Sequence, residues 1–374
     1  MKFIFVVQGE GRGHLTQAIA LREILTKSGH EVAAVLVGKS NRRELPSFFL
    51  KNIESEVFRF ESPNFLPASR NKQPNIWKTI IYNLLKTGSY LKSIHFIRKQ
   101  IKSRNVDIVV NFYEILTGFT YALFPPDIPY ICIAHQYIFL HPEFRFPQAN
   151  KVELGLLRFF TRITCIKASK LLALSAQKMD NVPESRMVVI PPLLRKEVFE
   201  VSVDDGNYLH GYMLNDTYAD KIIRFQAEHP DVFINFFWDR KDAEDVTVVN
   251  EHLSFYRLND KLFINQMAGC KAYATTAGFE SVCEAMYLGK PVLMVPTHIE
   301  QTCNAFEASS AGAGIVADDF ELDLLLKYIP HYQKKTSFHD WVRQASECIL
   351  KEFQTEKKEL LNNRLSYRFI FKGS

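Results

Sequence analysis

Short apolar runs alternate with helical stretches along nearly the whole chain, and few folds tolerate that alternation. Candidate strands are 3–7, 31–38, 56–61, 106–112, 129–135 and 170–175, with helical patterns between most of them. Near-continuous apolar runs of this length mark strands buried on both faces, so the pattern predicts parallel sheet covered by helices. The stretch MVVIPPLLRKEVFE (187–200) interrupts the series. Its proline pair excludes helix and central strand and places a domain junction at 191–200. A second series follows, with strands expected at 207–213, 231–238, 253–258, 271–275, 291–295 and 314–317, and helices at 217–229, 260–270, 279–288 and 319–329. A long charged helix is expected over roughly 337–364. The prediction is an α/β protein of two doubly wound, Rossmann-like domains facing across a cleft. The first spans 1–192 and the second 193–336, and in 337–374 a helix returns to the first. The length of 374 residues agrees, because it exceeds what one core usually supports.

Composition narrows the class. Hydrophobic residues make up 47% and charged residues 23%, as in a soluble globular protein. Six scattered cysteines with no CxxC pair predict reduced thiols, not zinc sites or a disulfide framework. Phe3 to Val7 is too short for a signal-peptide core, and no apolar run approaches a membrane span, so a cytoplasmic protein is expected. Charge is uneven. Residues 1–190 carry 26 Lys and Arg against 14 Asp and Glu, whereas the remainder carries 20 against 27. Within 70–104 there are nine basic residues and no acidic one, interleaved with Trp77, Tyr82, Tyr90 and Phe96. The apolar spacing there is helical, with a break expected at Gly88. One reading is a domain helix with a solvated basic face. The other is peripheral contact with anionic lipid head groups. No nucleic-acid recognition motif accompanies the charge.

The most informative stretch is YATTAGFESVCEAMYLGKPVLMVPTHIEQTCNA (273–305). A strand ends at Thr275-Thr276, Ala277-Gly278 turn, and a helix opens at Phe279. Its free N–H groups and dipole form an anion site, to which Thr276 and Ser281 add hydroxyls. Glu284, on the same helix, is a carboxylate placed to accept two ribose hydroxyls. Glu300, Gln301 and Asn304 cluster at the next helix start and suit sugar hydroxyls.

Gly278, Ser281, Glu284, Gly289-Lys290-Pro291, Glu300-Gln301 and Asn304, in that order, resemble the donor signature of GT-B nucleotide-sugar glycosyltransferases. The likeness is to the inverting UDP-glycosyltransferase group and to the bacterial enzyme that adds N-acetylglucosamine to the lipid-linked peptidoglycan precursor. The resemblance implies that Glu284 holds the ribose, that Thr276, Gly278 and Ser281 surround the diphosphate, and that Glu300 and Gln301 meet the transferred sugar. It implies a nucleotide-sugar donor with no cofactor or metal, and the basic segment 70–104 fits an acceptor that is lipid-linked or membrane-associated. Thr276 stands where relatives often have His, and Glu280 where they have Asn. Retaining enzymes of the fold carry a second Glu eight positions before the ribose Glu, and Thr276 occupies that place.

QGEGRGH (8–14) follows the first strand. A dinucleotide fingerprint needs GxGxxG and an acidic end to the next strand, and both are missing. In the resembled transferases such a loop faces the donor across the cleft. Gly11 and Gly13 are then expected beneath the reacting sugar, and His14 becomes the candidate general base. The alternative is a histidine bonded within its own loop. Glu114 and Glu10 are candidates to orient His14, and His135 and Gln136 are expected to face the cleft. Two other functions share these features: a non-hydrolysing UDP-N-acetylglucosamine epimerase, and a sugar-nucleotide-binding protein without catalysis.

Overall fold

Phe3, Phe5 and Val7 point into one core and Ile4 and Val6 into another, so strand β1 (Lys2–Gln8) is covered on both faces. The computed structural model describes residues 1–39, 45–63, 82–214, 216–240 and 243–370. β1 lies inside a seven-stranded sheet of order β3-β2-β1-β4-β5-β6-β7, parallel throughout. The others are β2 (Glu31–Lys39), β3 (Val57–Glu61), β4 (Ile108–Phe112), β5 (Tyr130–Ala134), β6 (Lys170–Leu174) and β7 (Met187–Ile190). Order reverses between β1 and β4, so the loops after these two strands diverge and leave a crevice at their carboxyl ends.

The second sheet also has seven strands, in the order β10-β11-β9-β8-β12-β13-β14. They are β8 (Tyr208–Met213), β9 (Phe233–Trp238), β10 (Val246–Asn250), β11 (Leu253–Arg257), β12 (Ala272–Thr275), β13 (Val292–Met294) and β14 (Gly314–Val316). All neighbours are parallel except the β10–β11 hairpin at one edge. Here the order reverses between β8 and β12. One apolar core runs from the first sheet through Leu193, Leu194 and Val198 into helices of the second.

All twelve expected strands are present. Two were not foreseen: β7, a four-residue run stopped by Pro191, and the exposed edge strand β10, which lacks a buried face to pattern. The long terminal helix is two helices, Thr336–Arg343 and Ala345–Ile370. Both reach the first sheet: Trp341 Nε1 donates to Ser175 O at 3.0 Å, and the Phe353 ring lies 5.0 Å from Phe3. All six cysteines are free. No helix among the described residues is long and apolar enough to cross a membrane.

Residues 70–81 of the basic segment lie outside the described residues. In the remainder the helix is Thr87–Ser103, and the break falls at Lys86; Gly88 is already helical. Ile94, Ile97 and Ile101 are buried, while Lys92, Lys99 and Lys102 face solvent.

Candidate active site

Two turns of similar construction follow strands at the order reversals of the two sheets. After β4, Tyr113 takes φ +61°; after β12, Ala277 takes φ +59°. Left-handed backbone is costly for side chains with a Cβ and persists where surrounding contacts hold it. Asn111 holds the first turn, accepting from Glu114 N at 3.0 Å and donating to Thr164 O at 3.0 Å. Asn304 holds the second by donating to Ala277 O at 3.4 Å.

On the first side, β1 gives way to the glycine loop and the helix Arg12–Lys27. Gly9 N donates to Gly38 O, and a Cβ at Gly9 would strike Val37 and that carbonyl, so the loop hugs β2. Gly11 has open space around it. Gly13 lies against Glu280 of the opposite side; a Cβ there would sit 2.5 Å from Glu280 Oε2. His14 is buried, stacks on Tyr113 at 5.4 Å, and faces Gln17 Oε1 through Nδ1 at 3.3 Å. Burial pulls its pKa down, and the Glu300 carboxylate across the cleft pulls it back up.

Glu114 does not orient His14. It caps the helix Ile115–Leu123, accepting from Leu116 N at 3.1 Å and from Ser62 Oγ at 2.6 Å. Burial, with a smaller contribution from Glu10, raises its pKa to about 7 against the lowering by its two hydrogen bonds. The partner of His14 is Gln17, three residues on along the same helix, which the sequence reading missed.

On the second side, the helix Phe279–Tyr287 begins at Gly278 with no side-chain cap. Ser281 Oγ donates back to Gly278 O at 3.2 Å, and Thr276 is buried beside it. The helix start keeps backbone donors for an anion. Glu280 reaches away from this start toward the first sheet and accepts from Gln17 Nε2. Burial lifts its pKa to about 7, with Glu284 and Glu300 adding to the rise. Glu284, 1% exposed, is gripped by Arg195 of the linker. Arg195 also faces Asp260, which faces Arg12 of the glycine loop.

The helix Ile299–Ser310 completes the cleft. Glu300 accepts from Gln136 Nε2 at 2.9 Å, so Gln136 does face the cleft. Gln301 turns back to its own loop and accepts from Thr297 N and Oγ1. His135 stacks on Phe279 at 3.7 Å and faces Glu307 at 3.5 Å; burial lowers its pKa to about 4. Glu307 accepts from Ser175 Oγ at 2.6 Å and Ala176 N at 3.0 Å, and burial raises its pKa to about 7. Glu307 was not foreseen, although Glu300, Asn304 and Glu307 recur at helical spacing on one face. A cavity of about 480 Å³ lined by Trp238, Arg240 and Phe255 shares none of these residues.

Two facing α/β sheets, each with its crevice at the carboxyl ends of its strands, define a GT-B fold, and solved structures share it. Arabidopsis thaliana UGT89C1 complexed with UDP-L-rhamnose aligns with TM-score 0.61 at 14% identity, covering 96% of this chain and 98% of that one. CalG4, the calicheamicin glycosyltransferase, aligns with TM-score 0.60 at 14% identity over 96% and 98%. A putative UDP-N-acetylglucosamine 2-epimerase from Listeria monocytogenes aligns with TM-score 0.60 at 12% identity over 96% and 97%. No curated protein sequence matches the chain. The family model for glycosyl transferase family 1 matches residues 1–332, and the chain belongs to that family. It is a glycosyltransferase.

Proposed function

We propose that the enzyme transfers a sugar from a nucleotide diphosphate sugar, UDP-linked, to an acceptor hydroxyl with inversion at the anomeric carbon. One observation carries this reading: His14 stands on one side of the cleft and the uncapped start of helix Phe279–Tyr287 on the other. His14 takes the acceptor proton as the acceptor oxygen bonds to the anomeric carbon from behind. The bond to the diphosphate breaks with its electron pair, and the helix start, Thr276 and Ser281 receive the developing charge. Glu284 holds the ribose, and Glu300, Gln301 and Asn304 hold the sugar. Gly11 leaves room beneath it, whereas the space beside Gly13 is taken by Glu280. Thr276, where retaining enzymes carry a carboxylate, favours inversion.

Isothermal calorimetry with UDP-, GDP- and dTDP-sugars tests the donor class, and proton NMR of the product tests the anomer. Absence of binding by every nucleotide sugar defeats the reading. Incubation with UDP-N-acetylglucosamine separates it from epimerisation, which yields the manno epimer without any acceptor.

The acceptor is proposed to be lipid-linked, met at the cytoplasmic face of a membrane. The helix Thr87–Ser103 exposes Leu91 beside Lys92 and Lys99. In the same helical layer, Lys151–Thr164 exposes Val152 (70%), Leu156 (47%) and Phe159 (60%) between Lys151 and Arg162. Apolar residues framed by basic ones suit an anionic lipid surface. Flotation with phosphatidylglycerol vesicles checks this contact: Phe159→Glu is expected to lose binding, and neutral phosphatidylcholine vesicles to show little.

A further inference from the structure

His14, Gln17 and Glu280 form a line across the cleft. His14 Nδ1 faces Gln17 Oε1 at 3.3 Å, and the amide nitrogen of the same side chain donates to Glu280 Oε1. A primary amide has one end that donates and one that only accepts. Glu280 takes the donating end, so Gln17 presents an acceptor to His14. The ring nitrogen facing it must carry the proton, which leaves the lone pair on Nε2. Gln17 is 1% exposed, so water does not compete for either end. The stacked ring of Tyr113, whose hydroxyl bonds Thr161 Oγ1 at 2.8 Å, limits the plane of the imidazole.

We infer that Gln17 and Glu280 are positioning residues that fix the tautomer and orientation of His14, with Glu280 supplied by the donor-side helix of the opposite sheet. Elsewhere a carboxylate bonded directly to a catalytic histidine does this work. Here an amide is interposed and the carboxylate comes from the other half of the molecule. The base is set only while helix Phe279–Tyr287 stands against the glycine loop, so acceptor activation is coupled to the placement of the donor site. This rests on the reading of His14 as the base.

The test uses Gln17→Leu, Gln17→Glu and the double variant Gln17→Glu/Glu280→Gln in the full chain. Gln17→Leu is expected to lower kcat by about 10- to 100-fold with unchanged donor affinity. Gln17→Glu alone sets two carboxylates together and stays impaired. The double variant exchanges amide and carboxylate along the line and recovers kcat. Its acidic pH–kcat limb moves to higher pH, because a carboxylate now touches the imidazole. Nitrogen NMR of His14 reads the tautomer without turnover: a protonated Nδ1 in the native enzyme and a mixture in Gln17→Leu. Should Gln17→Leu fail to fold, Glu280→Asp withdraws the carboxylate and breaks the same link. Native kcat and tautomer in Gln17→Leu, or an unmoved limb in the double variant, overturn the inference. Retained turnover in His14→Ala instead overturns the base assignment, and the tautomer measurement still reports on the relay.

Discussion

Arg195 grips Glu284 with two parallel hydrogen bonds, Nε to Oε1 at 2.6 Å and Nη2 to Oε2 at 2.9 Å. A carboxylate offers about four lone-pair sites. The fork occupies two and leaves two, which the proposed donor reading assigns to the ribose hydroxyls. Arg195→Met leaves a buried charge unpaired and is expected to cost about 3 kcal/mol or more in urea denaturation. Donor affinity falls with it. Arg195→Lys keeps the charge without the fork and is expected to fall between the two.

His14→Ala is expected to lower kcat by roughly 10²- to 10⁴-fold, the range for a lost general base. Calorimetric donor affinity should hold, because the proposed donor contacts at Gly278, Ser281 and Glu284 belong to the other sheet. A parallel loss of both would assign His14 to binding.

Glu307 sets a pH dependence of stability. Its folded pKa is raised by burial to about 7 from 4.5. The folded state therefore holds a proton that the unfolded state releases between pH 4.5 and 7. That contribution is complete below 4.5 and is lost as pH rises through about 7. Relative to Glu307→Gln, the native protein is expected to lose on the order of 1 kcal/mol between pH 6.5 and 8. Paired thermal melts at the two pH values read this difference. His135, lowered to about 4 by burial, acts with the opposite sign between pH 4 and 6.5, and because it faces Glu307 at 3.5 Å the comparison is read above pH 6.5, where the imidazole is neutral in both proteins.

Trp341→Phe keeps an aromatic side chain but removes the pyrrole ring together with the N–H that bonds Ser175 O. The smaller ring and the buried Ser175 O left without its donor are together expected to cost about 2 to 3 kcal/mol, and a melting scan detects the loss. Because Ser175 also bonds Glu307, Trp341→Phe and Glu307→Gln share a partner and are expected to be non-additive.

Local pattern carried much of the architecture. Buried parallel strands write themselves as apolar runs, and Gly278, Ser281 and Glu284 keep a fixed spacing because one turn and one helix hold them. β10 escaped because an edge strand with exposed Val246 and Val248 has no buried face to print a pattern. Arg195, Gln17 and Glu307 escaped for another reason. Each acts on a residue distant in sequence or across the cleft, and a lone polar side chain announces no such partner. Glu114 misled because an acidic residue at a strand end reads alike as an orienting group and as a helix cap. Only the position of Leu116 N decides between them.

Gly13 makes the spacing between the two halves measurable. With no side chain of its own, it lets the tip of Glu280 come to rest on the backbone of the opposite loop. Alanine there acts as a shim one methyl thick. The flexible end of Glu280 must withdraw from the loop, so the fold survives while the contact across the gap is displaced. Any step that depends on the gap's width registers the insertion, and any step confined to one half does not.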